Sequence, residues 1–121
     1  MFTISVETHF RASHQLTLPD GSKEPIHDHD WLVTTVVGSE ELDEMGGVMD
    51  FHVLKGMVEQ ITTEFEDALL GELPHFRRNN ASAENVARHV YVRLRGQLPH
   101  GVALRSVSVV EEPGCSAQFA E

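Results

Sequence analysis

The chain of 121 residues is poor in cysteine, in positive charge and in long apolar runs. Its single cysteine, Cys115, rules out an intramolecular disulfide framework and fits a reducing, cytoplasmic setting. Only 9 lysines and arginines stand against 19 aspartates and glutamates, a formal charge of −10. That deficit argues against a nucleic-acid backbone or an anionic membrane as the main partner, because both would be repelled. No stretch is apolar for long enough to span a bilayer. The opening residues "MFTISVETHF" alternate where a signal peptide would run apolar, so neither a membrane span nor an export signal is expected. A glycine-rich phosphate loop is missing too, so nucleotide-triphosphate hydrolysis is not read here. With no repeat, low-complexity tract or linker, the length suits one domain, residues 1–121.

What the chain does have is a pair of histidines, His27 and His29, in "HDHDW" at the head of its best strand. Side chains alternate along a strand, so residues at i and i+2 share a face and their ring nitrogens can converge on one ion. Borderline-soft Zn²⁺ is the usual guest of imidazoles, and three protein ligands with one open position make a catalytic site. His14 in "FRASHQL", across a loop containing Pro19, Asp20 and Gly21, is the candidate third ligand. The competing reading is that His27 and His29 are ordinary polar residues at a strand start.

Periodicity gives the rest of the layout. Phe2, Ile4 and Val6 alternate with Thr3, Ser5 and Glu7, a strand over Phe2–Ala12, and His27–Ser39 reads as a second strand rich in Val and Thr. Asp50 caps a first helix running to about Leu70, with Leu54, Met57, Val58, Ile61, Phe65 and Leu69 as its apolar stripe. Ser82 caps a second helix to about Arg95. Val102–Glu111 and Ala117–Phe119 are the last two strands. The order ββααββ predicts an α+β fold, a four-stranded antiparallel sheet with two helices on one face. Its open edges predict edge-to-edge oligomers.

"FRASHQL", "HDHDW", "GGVMDFHVLK", "NNASAEN" and "VVEEP" stand in the order and near the spacing of the 6-pyruvoyl-tetrahydropterin synthase and 6-carboxytetrahydropterin synthase family, which the chain resembles over nearly its whole length. The resemblance implies the tunnelling fold, with trimers closing their sheets into a barrel and two trimers stacking into a hexamer. It implies Zn²⁺ on His14, His27 and His29, in a Lewis-acid role toward the side-chain oxygens of a dihydropterin substrate. Glu111 matches the glutamate that anchors the pterin ring, a task suited to a carboxylate that accepts two parallel N–H bonds. Glu112 is its adjacent rival. Ser82 matches a position before the second helix that serves as a cap first and a pterin contact second.

The departures fall on the acid–base machinery. The family's usual cysteine, four residues before the first histidine of its H-x-H, is replaced by Lys23, and Glu24 follows. Some family members that divert the same substrate toward folate precursors resemble this chain in carrying a glutamate instead. The family's Asp-His dyad falls on Glu66 and Asp67, read as helix residues, so one of these carboxylates or Glu24 would move the proton. Asp28 replaces a glycine, but by alternation it points away from the metal. Arg77 and Arg78, with Lys23, are the candidate phosphate contacts. Two readings result. The first is a zinc-dependent pterin lyase acting on 7,8-dihydroneopterin triphosphate or a close relative. The second is a zinc- and pterin-binding protein that has lost the standard synthase activity.

Overall fold

Two long strands carry the architecture. In the computed structural model, which describes all residues from Met1 to Glu121, β1 (Phe2–His14) pairs antiparallel with β2 (His27–Ser39) along its full length. The ladder runs from Phe2 opposite Ser39 to His14 opposite His27. Helix α1 (Phe51–Thr62) and helix α2 (Ala83–Leu94) follow, then β3 (Ala103–Glu112) and β4 (Cys115–Phe119). The sheet order β1-β2-β3-β4 is antiparallel throughout, the arrangement expected from the element order.

One face of this sheet is apolar and the helices cover it. Val6, Phe10 and Ala12 of β1 are buried, as are Trp31, Val33 and Val37 of β2 and Val107 and Val109 of β3. Against them α1 sets Leu54, Val58 and Ile61, and α2 sets Val86, Val90 and Leu94. Each such side chain contributes about 1.5–3 kcal/mol when fully removed from water. Phe10 stacks on Trp31 (centroids 5.5 Å apart), and the Trp31 indole N–H donates to the carbonyl of Ala12 at 3.1 Å. The opposite face is polar: Arg11 pairs there with Asp28 and, at 3.0 Å, with Asp30. Asp28 is thus turned away from the neighbouring histidines, as alternation requires. No helix is long and apolar enough to cross a membrane.

Four elements differ in their bounds from those the sequence suggests. The first strand continues past Ala12 to His14, the third spans Ala103–Glu112, and the fourth starts at Cys115. The largest difference is at the first helix, which ends at Thr62 and not near Leu70. A 3-10 turn (Thr63–Phe65) follows, Glu66 is extended, and Asp67 takes a positive φ of 58°. Backbone bonds from Asp67 to the Arg11 carbonyl (2.7 Å) and from Ser13 to the Ala68 carbonyl (2.9 Å) then lay this segment along β1. Phe65 stays buried at the turn, which is why the apolar stripe reads on as though the helix did.

Both helices carry the caps that the sequence signals. The Asp50 carboxylate accepts from the His52 amide at 2.7 Å, and the Ser82 hydroxyl accepts from the Asn85 amide at 3.1 Å. Ser82→Ala is expected to lower stability by about 1 kcal/mol in chemical denaturation.

Candidate metal and substrate site

Side-chain parity determines what the sheet offers at its open end. The core-facing positions of β1 are even-numbered and those of β2 odd-numbered, so His14, His29 and His27 continue the face that packs on the helices. On β3, Val107 and Val109 lead to Glu111 by the same step of two. An irregularity in the β3–β4 ladder between Val110 and Glu112 falls at this residue, the kind of feature that re-aims a side chain. Glu112, the rival, is exposed.

His14 is the fixed point of the cluster, only 3% exposed. Its ring meets Trp31 edge-on with centroids 4.9 Å apart, and its Nδ1 lies 2.8 Å from the Ala81 carbonyl oxygen. A carbonyl only accepts, so Nδ1 carries a hydrogen, which leaves Nε2 as the nitrogen that can hold a metal ion. That nitrogen lies 2.9 Å from Glu111 Oε1. A lone pair facing a carboxylate oxygen at such a distance calls for a cation shared between them, a proton or a metal ion. Ligand atoms of His14, His29 and Glu111 all lie within 4.8 Å of one another. The donor set, imidazoles with one carboxylate and the Ala81 carbonyl behind His14 fixing its tautomer, fits a divalent ion such as Zn²⁺.

His27 stands at the margin of this group. Its ring is 6.2 Å from that of His14 and 5.8 Å from that of His29, and its Nε2 approaches Glu24 Oε1 at 3.9 Å. The sequence groups three histidines, whereas the tightest trio has Glu111 where His27 was expected. His27 is exposed at the strand start, so its ring is free to turn toward the other two.

Glu24 sits on the return arm of a short hairpin. Thr17 and Lys23 form a bridge, the Gly21 amide donates to the Leu18 carbonyl at 2.9 Å, and the turn needs the positive φ of 89° that glycine adopts freely. The Glu24 amide donates to the Leu16 carbonyl, and its carboxylate accepts from the Leu16 amide, both at 3.0 Å. This holds the carboxylate beside His27.

Glu66 and Asp67 are placed differently from the sequence reading. They lie beyond the helix, and their contacts run to the edge of β1: Glu66 Oε2 accepts from the Arg11 amide at 3.2 Å, and the Asp67 amide donates to the Arg11 carbonyl. No hydrogen bond or ion pair joins either carboxylate to His14, His27 or His29.

A cleft of about 420 Å³ is lined by Lys23, Arg77, Arg78, Asn79, Asn80 and Ala81 among others; no histidine, Glu24 or Glu111 is in its wall, and it adjoins His14 through Gln15 and Ala81. Asn80 binds it to the hairpin, accepting from the Thr17 amide at 2.8 Å and donating to the Thr17 carbonyl at 3.1 Å. Ala81 therefore belongs to both features, with its carbonyl on His14 and its chain in the cleft wall. Both lie in the "NNASAEN" stretch through which the chain resembles the family, where Ala81 and Ser82 match the pair before its second helix, but neither Asn80 nor Ala81 was expected in the site.

Residues 3–121 match the family model described as 6-pyruvoyl tetrahydropterin synthase. The chain belongs to the 6-pyruvoyl tetrahydropterin synthase family. Its similarity to the dihydroneopterin monophosphate aldolase of Pyrococcus furiosus is 30% identity over 102 residues, covering 84% of this chain and 82% of that one. Among solved structures, the 6-pyruvoyl tetrahydropterin synthase of Caenorhabditis elegans superposes with a TM-score of 0.85 at 20% identity, covering 99% of this chain and 95% of that one. Two variants of the Plasmodium vivax synthase, with a glutamate described as a catalytic residue replaced by alanine or by cysteine, share the fold at a TM-score of 0.78 and 16% identity, covering 99% and 97%. The sheet and helices are thus the tunnelling fold of the 6-pyruvoyl tetrahydropterin synthases, and family membership places the chain among lyase-type enzymes.

Proposed function

We propose that this family member is a zinc-dependent lyase that cleaves the side chain of a phosphorylated 7,8-dihydroneopterin, in the glutamate-type form that leaves a hydroxymethyl dihydropterin. The observation that carries the reading is the His14 Nε2–Glu111 Oε1 contact of 2.9 Å, which calls for a cation at the end of the sheet. Zn²⁺ held by His14, His27 and His29 would supply Lewis-acid polarisation of the substrate's side-chain oxygens. With His14 committed to the metal, the Glu111 carboxylate is released to accept two parallel N–H bonds from the aminopyrimidinone edge. Lys23, Arg77 and Arg78 neutralise the phosphate in the adjoining cleft.

Glu24 is the base in this scheme. It takes the proton of the hydroxyl on the second side-chain carbon, and the bond between that carbon and the first breaks. The electron pair passes into the ring system, and the first carbon is then reprotonated. The products are a hydroxymethyl dihydropterin and a two-carbon aldehyde that keeps the phosphate. The relative named as an aldolase, and the neighbour in which a glutamate is called catalytic, support this assignment over a cysteine-dependent one. Apart from the segment that pairs at Arg11–Ser13, the edge of β1, like that of β4, carries no further strand in the chain, which suits closure of three sheets into a barrel and stacking of two trimers. Glu66 and Asp67, at the edge of β1, would then act toward a neighbouring copy.

The test is product analysis after mixing zinc-loaded protein with 7,8-dihydroneopterin monophosphate or triphosphate. Release of hydroxymethyl dihydropterin and the phosphorylated aldehyde is expected. Tight binding without turnover would sink the lyase reading and leave a pterin-binding protein. Arg77→Ala combined with Arg78→Ala is expected to raise KM for the phosphorylated substrate about 10- to 100-fold. Steady-state kinetics should show unphosphorylated dihydroneopterin unaffected.

A further inference from the structure

Away from the sheet end, the helix layer holds a second gathering of ligand-type side chains. Glu64 lies in the 3-10 turn after α1, His75 in the short turn Pro74–Phe76, and His89 midway along α2. Glu64 Oε1 is 3.0 Å from His75 Nε2 and 3.5 Å from His89 Nε2, and the two imidazole rings are 4.1 Å apart. All three donor atoms lie within 4.8 Å of one another. We propose that Glu64, His75 and His89 form a second metal site, taking one late first-row divalent cation such as Zn²⁺.

Two observations support this. Metal–ligand bonds of about 2.0–2.1 Å put neighbouring atoms of a tetrahedron about 3.3–3.4 Å apart, and the separations of Glu64 Oε1 from the two ring nitrogens bracket that spacing. The His89 Nε2 is buried and has no hydrogen-bond partner, because its geometry toward Glu64 does not suit an N–H donor. A nitrogen in that position costs free energy unless something accepts its lone pair or its hydrogen.

The surroundings suit an ion as well. Phe65 and Phe76 pack against His89 with centroids 5.6 Å and 5.7 Å away, walling one side with apolar rings. The other side opens to a depression of about 230 Å³ lined by Asn79, Asn85 and Arg88, with room for water in a fourth position. Two imidazoles and one carboxylate with an open position suit late first-row divalent metals. Arg93 Nη1 already leans on Glu64 Oε1 at 3.4 Å. It is half-exposed and has the second carboxylate oxygen to move to. Glu64, His75 and His89 lie on three different elements, so only the fold assembles this group.

The test is metal stoichiometry after loading the metal-free chain with Zn²⁺ and removing the excess. The intact chain is expected to hold two equivalents, and His75→Gln and Glu64→Gln each only one. His14→Ala should retain the helix-layer ion, with a Co²⁺ absorption band that His75→Gln abolishes in the same background. His75 and Glu64 are both about one-third exposed, so these substitutions leave the core packing in place. One equivalent in the intact chain, or a stoichiometry unchanged by both His75→Gln and Glu64→Gln, would overturn the proposal.

Discussion

His14→Ala is expected to strip zinc from the sheet-end site and to lower the stability of the metal-free chain as well. The two effects share one cause. The ring is buried, packs edge-on to Trp31 and satisfies the Ala81 carbonyl, so its removal leaves both a cavity and an unpaired acceptor. Together these cost about 2–4 kcal/mol. His29→Ala and His27→Ala should lose the same ion with little effect on the metal-free fold, because both side chains are more exposed. Denaturation in chelator separates the two behaviours, and metal analysis after dialysis reads the occupancy. Glu111→Gln is the informative control. If Glu111 anchors the pterin, this variant keeps its zinc and loses ring binding. Loss of zinc would instead make Glu111 a ligand and remove it from ring recognition.

Glu24→Gln is expected to slow conversion by about 100- to 10,000-fold, the usual contribution of a positioned acid or base. Zinc content and ring affinity should be unchanged. The amide keeps an oxygen to accept from Leu16, so the hairpin holds its shape while the proton acceptor is lost. Single-turnover rates against binding titrations distinguish this outcome from a folding defect. Should Glu24→Gln turn over normally while Asp67→Asn does not, the base resides in the segment beside β1, and a neighbouring copy must complete the site.

Much of the fold was legible because strands and helices leave periodic traces. The span of β2, both helix caps and the antiparallel order came from alternation, capping chemistry and turn residues. The end of α1 did not, because Phe65 and Leu69 keep the helical spacing while the backbone has already turned at Glu66 and Asp67. Burial is a property of side chains, and it does not report which backbone delivers them. The histidines were legible for the same reason that β2 was, since a period of two fixes their common face. Glu111 entered through family resemblance alone, and its approach to His14 depends on a β3 register that no local pattern records. The Ala81 carbonyl and the Glu64–His75–His89 group have no sequence signature.

The candidate metal ligands and the proposed base occupy parts of the chain with opposite tolerance for change. His14, His27 and His29 are set by a thirteen-pair ladder, in which inserting one residue would turn every later side chain to the other face. Glu24 and Lys23 ride on the hairpin that joins those strands, where length and composition vary with little penalty. A substitution on this connector, cysteine for glutamate or a lysine beside it, can therefore leave the histidines beneath undisturbed. On that basis, the members of such a family should diverge fastest in product and slowest in metal.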